Sequence, residues 1–293
     1  MEPRPPYKDS PPSYVEAMSA DYDYPSSSRR LTAARTSSTF HPVLYCHLSS
    51  DAHVFPRTFG VYTSTPRHYY IGGSQEFPLY AISTRSLQPM KPDLVLYSGV
   101  SEDMPALASV LHDTLTRSAS IALPAPPNSN SPAVHEPLQA SGAFFSRTLS
   151  FAIETPAAAA AAAAAGREHF EWRRSGGGEV DSLRGRPLGW KLVRLTPPPD
   201  AASKTKTSGG GDDRYCGGYV PGHSSDGREV VAVWVGPAAP ALFASKVLRF
   251  RFLGAGADGS LGPRWTVMAV ASALAVWHRE HRGRHRGLAS ASF

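Results

Sequence analysis

Three histidines near the end of the chain are the residues best spaced to hold a metal ion. His278, His281 and His285 are three and four positions apart, so a continuous helix would bring them to one face. Neutral imidazoles in this arrangement can bind a metal. Gly283 weakens a helix at this point, however, and neighbouring arginines repel a cation. These arginines are Arg279, Arg282, Arg284 and Arg286. We therefore predict no metal site, and expect a solvated basic cap or a contact with anionic lipid or another polyanion.

Two further patterns resemble known sites but lack their context. The stretch "GAGADG", residues 254–259, matches G-x-G-x-x-G, but "SLGP" separates it from the next apolar segment. In a dinucleotide site the glycines open the helix directly, so we expect a strand-to-helix connection here instead. Cys216 and His223 lack the second ligand pair of a four-ligand zinc site. Serine-hydrolase, zinc-protease, phosphate-loop and paired-carboxylate motifs are also missing from the sequence. We therefore predict a non-enzymatic protein with no catalytic residue and no cofactor.

The composition and charge limit the class of protein. The chain has 293 residues with 27 prolines and 25 glycines, which concentrate in a few blocks. A formal net charge of +6 allows attraction to anionic surfaces but is too modest to indicate nucleic acid. The cysteines are Cys46 and Cys216, and the opening residues lack the apolar core of a secretory signal. We expect free thiols and a cytoplasmic protein that can associate peripherally with membranes.

The local composition of the sequence indicates one folded domain with disordered ends and low-complexity insertions. Residues 1–40 are rich in proline, serine and tyrosine and predict a disordered tail. The folded domain is predicted over 41–286, followed by a disordered end over 287–293. Three low-complexity insertions are expected inside it, near 124–142, 156–166 and 196–227.

Short runs of β-branched and aromatic residues between turn residues predict a mainly β fold. Examples are "HVF" (53–55), "HYYIG", "DLVLYSG" and "REVVAVWVG". In "KVLRFRFLG" charged and apolar side chains alternate, as in a half-buried strand. Ten or more antiparallel strands and one helix are therefore predicted.

The helix is the stretch "WTVMAVASALAVW", Trp265–Trp277. It has 13 residues without a charge and is apolar on every side, whereas a surface helix has a polar face. It is also shorter than the roughly 20 apolar residues of a bilayer span. We therefore expect a sheet that wraps around it as a barrel, and an exit from the barrel at His278. Its large side chains should fill the core: Trp265, Met268, Leu274 and Trp277.

The order of "FEWRRS", "GWKLVR", "VVAVWVG" and "RFRFLG", followed by "GPRWTVMAVASALAVWHR", resembles the tubby C-terminal-like barrels. Within them it resembles a fungal family of uncharacterised proteins related to the LURP-one and phospholipid-scramblase barrels. The resemblance covers about Val43 to Arg282. It implies an antiparallel barrel of about twelve strands around a central hydrophobic helix.

The resemblance also implies phosphoinositide or anionic-lipid binding through basic surface residues. The candidates are Lys246, Arg249, Arg251, Arg279, Arg282, Arg284 and Arg286. A second interpretation is a scramblase-like membrane protein whose helix inserts into the bilayer. The sequence departs from that pattern because it lacks a cysteine cluster for acylation and an acidic calcium-binding loop.

The tail carries a short linear motif. "PPSY" fits the P-P-x-Y pattern, in which Pro11, Pro12 and Tyr14 would dock on the aromatic grooves of a WW domain. A third interpretation follows, in which the protein is an adaptor for a ubiquitin ligase that contains WW domains.

Overall fold

Twelve antiparallel strands close into a barrel around a C-terminal helix, as predicted. The structure is a computed structural model. It describes residues 54–85, 91–113, 115–124, 133–142, 147–160, 166–195, 222–238 and 245–290. Each strand pairs with its neighbours in sequence, and β1 (Thr58–Thr65) closes the barrel on β12 (Lys246–Phe252).

The other strands follow in simple up-and-down order. They are β2 (His68–Gly72), β3 (Pro78–Thr84), β4 (Leu94–Tyr97), β5 (Ala106–His112), β6 (Ala119–Pro124), β7 (Ala133–Ser141), β8 (Thr148–Glu154), β9 (Arg167–Ser175), β10 (Gly189–Arg194) and β11 (Val230–Val235). The helices are α1 (Pro156–Ala160), α2 (Gly178–Asp181), α3 (Gly254–Ala257) and α4 (Gly262–Ser290).

The barrel encloses the apolar part of α4. Every residue from Trp265 to His278 is buried, and Trp265, Met268, Leu274 and Trp277 all belong to the main core. Aromatic rings from the wall pack against both ends of this stretch. Trp265 lies 5.5 Å from the ring of Phe170. Within the described ranges, no helix combines the length and the apolar character that a membrane crossing requires.

One polar contact joins the middle of α4 to the wall. The indole N–H of Trp172 donates to the hydroxyl of Ser272 at 2.9 Å, and that hydroxyl donates to the carbonyl of Ala269 at 3.0 Å. Ser272 is fully buried. Its hydroxyl therefore satisfies a donor that would otherwise be buried without an acceptor.

The glycine-rich stretch before α4 is a strand-to-helix connection, as predicted. It contains α3, in which the backbone N–H of Ala255 donates to Glu229 Oε1 at 2.7 Å. A side chain at Gly256 would place Cβ only 2.3 Å from the carbonyl oxygen of Val231. The glycine thus allows α3 to lie directly against the barrel wall.

Two strands lie where the sequence analysis placed none. The predicted insertion at 124–142 is wrong for its second half, because β7 occupies Ala133–Ser141 and pairs along β6. Pro137 lies within β7, and pairing with β8 begins only at Gln139, so the proline lies outside that ladder. The run Ala106–His112 was also not identified, yet it forms β5.

Other predicted boundaries also need correction. The run "HVF" is not a strand in its described part, and Val54 and Phe55 pack into the core instead. Helix α4 continues to Ser290, beyond the predicted domain boundary at residue 286. The start of the 156–166 insertion forms α1. Residues 1–53 and 196–221 lie outside the described residues.

Carboxylates and arginines pair at the end of the barrel where α4 begins, which we call the glutamate end. It carries Glu136, Glu154, Glu168, Arg167, Arg194 and Arg264. Arg264, in the first turn of α4, lies 3.2 Å from Glu136 and donates to the carbonyl of Pro124 at 2.6 Å. These ion pairs fix the start of α4 and largely balance the charge of this end.

We expect Ser272→Ala to destabilise the protein by about 1–3 kcal/mol, because it leaves the buried indole N–H of Trp172 without an acceptor. The free energy of unfolding in urea measures the effect. The double variant Trp172→Phe/Ser272→Ala should cost less than the sum of the two single changes. An unchanged free energy of unfolding in Ser272→Ala would contradict the enclosed position of the helix.

Candidate functional site

The basic residues predicted on β12 hold a neighbouring segment in place. Arg249 Nη1 donates to the carbonyl of Leu183 at 2.8 Å, and Arg251 Nη1 donates to the hydroxyl of Ser182 at 3.2 Å. The ammonium group of Lys246 lies 4.9 Å from the centre of the Tyr62 ring. Arg249 and Arg251 therefore hold the segment after α2 against the outside of the barrel.

The predicted basic residues of α4 fall where the helix leaves the barrel. Arg279 donates to the carbonyl of Arg117, and Arg282 lies 3.4 Å from Asp93. Two further predicted contacts have side chains outside the described part of the structure, namely Arg284 and Arg286.

Four arginines meet at this end of the barrel, which we call the arginine end: Arg117, Arg147, Arg174 and Arg279. Arg117 lies in the turn between β5 and β6, in the left-handed region with φ of 62°. Arg147 directly precedes β8, and Arg174 lies near the end of β9. The strand order brings all three connections to one end, where α4 adds Arg279.

Burial and charge repulsion act on two of these guanidinium groups. The pKa of Arg279 is lowered to about 10, mainly by burial; the charges of Arg147 and Arg117 act in the same direction, and the charge of Glu280 opposes them. Burial also lowers the pKa of Arg147, with added repulsion from Arg117 and Arg174. An anion bound among these groups would relieve the repulsion and gain charge-assisted hydrogen bonds. The arginine end is therefore the candidate site for an anionic ligand.

Exposed leucines lie at the same end. Leu115, in the β5–β6 turn, is 90% exposed, and Leu188, directly before β10, is 56% exposed. The backbone N–H of Leu115 donates to the carboxylate of Asp113 at 2.8 Å, which fixes the turn that presents this leucine. Apolar tips beside arginines are typical of surfaces that enter the boundary between headgroups and acyl chains.

The solvated cap predicted for the histidines of α4 is wrong at His278. This side chain is 5% exposed, and its ring lies 5.4 Å from that of His112. Burial lowers the pKa of His278 to about 3, with help from His112 and Arg282 and against the charge of Asp93. His278 is therefore neutral at pH 7, and the barrel encloses the helix through this residue, whereas residues 279–282 are half-buried.

The next turns of α4 explain why the exit lies later than predicted. His281 stacks on Trp277 with 5.5 Å between ring centres, so it extends the apolar contact by one turn. Gly283 is exposed, but it does not end the helix. Sequence reasoning placed the boundary at the first charged residues and missed this ring contact.

Three arginines of the site were not predicted. Arg117, Arg147 and Arg174 are far apart in sequence, and no motif links the three, although Arg174 lies in "FEWRRS". All three lie at or near strand ends. In an up-and-down barrel every second connection lies at the same end, so this position could have predicted that the three arginines lie close together. The rule needs every strand to be identified, because each missing strand assigns the later connections to the wrong end. The sequence analysis does not identify β5 and β7.

We expect the stability of the protein to fall on the acid side because of His278. Between pH 6.5 and about 3 the unfolded chain protonates this histidine while the folded chain does not, so the free energy of unfolding falls as the pH falls. His278→Phe should therefore lose less thermal stability than the wild type between pH 6.5 and pH 4. The matched control is His135→Phe, at an exposed position. Equal losses in the wild type and His278→Phe would show that His278 is not buried in its neutral form.

Comparison with known proteins gives no family assignment. The chain matches no protein-family model, no curated protein and no solved structure. The closed barrel around a C-terminal helix is a fold class, and it does not by itself distinguish the tubby-like barrels from others. What the protein does must therefore be argued from the arginine end.

Proposed function

We propose that the protein is a non-enzymatic module that docks on anionic membranes, with phosphoinositides as the leading lipid, through its arginine end. The observation that carries this proposal is the cluster of four arginines at one end of the barrel, in which burial and neighbouring guanidinium charges lower the pKa values of Arg147 and Arg279. Guanidinium groups bind phosphate oxygens through paired N–H donors, and each basic group near an anionic surface contributes about 1 kcal/mol. The resemblance to tubby-like barrels supports the same class of ligand.

The distribution of apolar and charged residues favours this end over the other. Exposed apolar side chains also lie in the connections of the glutamate end, such as Phe77 and Val100. Those two have acidic neighbours in the same connections, Glu76 and Glu102. The connections of Leu115 and Leu188 also carry carboxylates, but arginines in the same connections balance them: Arg117 balances Asp113, and Arg184 and Arg186 balance Glu179 and Asp181. An anionic membrane would therefore repel the first set of connections, whereas the arginine cluster would attract it to the second.

The proposed docking keeps α4 inside the barrel. The apolar residues from Trp265 to Trp277 already contact protein on every side, so the membrane would meet only the rim and the end of the helix. The scramblase-like alternative requires this segment to leave the barrel and enter the bilayer. Extraction with carbonate separates the two: an inserted helix resists it, whereas a docked barrel is released.

We expect the protein to co-sediment with vesicles that contain phosphatidylserine or phosphoinositide and to bind phosphatidylcholine vesicles much more weakly. Arg117→Gln/Arg147→Gln should weaken binding to anionic vesicles about tenfold or more, because two charges leave the docking face. The control Arg57→Gln/Arg228→Gln removes the same charge near the glutamate end and should have little effect. Equal binding to neutral and anionic vesicles, or equal losses in both variants, would refute the proposal.

We also propose that the tail motif Pro11–Tyr14 recruits a WW domain, which would bring that partner to the membrane. The observation behind it is the motif itself, which lies outside the described residues. Tyr14→Ala should abolish capture by an immobilised WW domain, since the tyrosine supplies the second anchor. Capture that is unchanged in Tyr14→Ala would refute it, and vesicle binding should be the same in both proteins.

A further inference from the structure

Exposed apolar side chains gather on the outer surface of the barrel beside β3. In the described ranges, seven large apolar side chains are exposed, and four of them lie here: Phe77 (71% exposed), Val100 (62%), Met104 (43%) and Leu79 (40%). The first and last belong to the β2–β3 connection and the start of β3, and the other two belong to the β4–β5 connection. Single exposed apolar side chains are common on proteins, but several on one surface favour an interaction site. We call these four residues the Phe77 patch.

The connection between β4 and β5 lies across the outer face of β3. The backbone N–H of Ala81 on β3 donates to the carbonyl of Gly99 at 2.6 Å. Further along the connection, Glu102 forms an ion pair with His68 at the start of β2. Since β3 lies between β2 and β4, the connection extends over β3 to reach this histidine. It thereby brings its own apolar residues beside those of β3.

The alternation of β3 places Leu79 on the same outer face. Tyr80 and Ile82 pack into the main core, so Leu79 and Ala81 face away from it. Ala81 packs with two residues of β4 in a small separate cluster outside the barrel. Leu79 therefore lies next to an apolar outer surface that the β4–β5 connection borders.

Hydrogen bonds and close packing hold the β4–β5 connection in one conformation. The hydroxyl of Ser101 donates to Asp103 Oδ2 at 3.0 Å and accepts from the backbone N–H of Asp103 at 3.2 Å. A side chain at Gly99 would place Cβ 3.1 Å from Met104 Cγ, so the methionine packs directly on this glycine. The Phe77 patch is therefore preformed, which lowers the entropy cost of binding a partner.

The charged residues of these two connections are all acidic. Glu76 directly precedes Phe77, and Glu102 and Asp103 lie in the other connection. A hydrogen bond from its own backbone and one from Ser74 lower the pKa of Glu76, so this carboxylate is ionised at pH 7. The whole chain carries a formal charge of +6. The three carboxylates thus form a local acidic surface on a basic protein.

The closed barrel limits how a partner can bind at this surface. Every strand is paired on both sides, so the barrel has no free edge to which an extended peptide could add. An amphipathic helix instead presents apolar side chains about 5–6 Å apart along one face. Phe77 and Leu79, two positions apart, are separated by at most about 7 Å along the chain. Basic residues beside the apolar face of such a helix would meet the carboxylates.

We infer that the Phe77 patch is a docking surface for a basic amphipathic helix of a partner protein. The apolar face of that helix contacts the four patch residues, and its lysines or arginines pair with the surrounding carboxylates. The inference goes beyond membrane docking, because the partner is a protein and the surface belongs to connections opposite the arginine end. With the arginine end on a membrane, the patch stays open to a partner in solution.

Three synthetic peptides test the inference with the full chain. The first is a labelled helix of about 14 residues, or four turns, with leucines along one face and lysines elsewhere. The second has glutamate in place of each lysine, and the third has the composition of the first with the leucines scattered around the helix. We expect saturable binding of the first in fluorescence anisotropy and at least about tenfold weaker binding of the other two. No saturable binding of the first, or equal binding of either other peptide, overturns the inference.

Paired substitutions locate the binding surface. Phe77→Ser/Val100→Ser removes two exposed apolar side chains and should weaken binding of the lysine peptide about tenfold or more. The control Leu115→Ser/Leu188→Ser removes two exposed leucines at the arginine end and should leave peptide binding unchanged. Circular dichroism checks the fold of each variant. Full affinity in a folded Phe77→Ser/Val100→Ser, or an equal loss in the control, overturns the inference.

A second pair of variants tests the contribution of charge. Glu76→Gln/Asp103→Asn should weaken binding of the lysine peptide about threefold or more, because two carboxylates lose their charge while their side-chain shape is kept. The control Asp181→Asn/Asp258→Asn removes the same charge from exposed positions outside both connections. An equal loss in the two variants would show a general effect of net charge and would overturn the inference.

A second copy of this chain is the alternative occupant of the patch. We expect a monomer in sedimentation equilibrium, and self-association that is lost in Phe77→Ser/Val100→Ser would overturn the inference. The vesicle experiment fails independently of this one. Phe77→Ser/Val100→Ser should retain binding to anionic vesicles, whereas Leu115→Ser/Leu188→Ser should weaken it. Loss of vesicle binding in Phe77→Ser/Val100→Ser would contradict the separate surface.

Discussion

The need to cover the uncharged half of α4 on every side governs the whole structure. Every residue from Trp265 to His278 is buried. A single flat sheet would leave one face of such a helix in water. A closed sheet solves this, and small residues such as Ala269 and Ala271 let the wall approach the helix. The glutamate end fixes where the helix begins, and the Ser272–Trp172 hydrogen bond fixes its middle.

Enclosure of the helix also determines which charged residues gather at each end of the barrel. Because the strands run up and down in sequence order, alternate connections meet at the end where α4 leaves. Arginines from three of these connections and strand ends gather around the helix there, whereas the opposite end pairs its arginines with glutamates. The helix does not fill the mouth completely, and a cavity remains beside Glu280. The arginine end and this cavity both result from the same topology.

The barrel and its central helix could be predicted because a run of apolar residues on all sides of a helix has few physical solutions. Strand β7 was missed because its outward residues are polar and Pro137 interrupts it, so its pattern is typical of a loop. The burial of His278 was missed because charged neighbours suggested solvent, whereas its ring packs beside His112. The arginine cluster and the Phe77 patch depend on strand pairing, which a single sequence does not specify.

The enclosed helix is the central claim, and amide hydrogen exchange tests it most directly. The structure predicts that amides from Val267 to Trp277 exchange as slowly as those of β9–β11 and become exchangeable only on global unfolding. The same slow exchange should persist when anionic vesicles are added. Exchange of this segment as fast as that of an exposed connection, or on a timescale unrelated to unfolding of the barrel, would contradict the account.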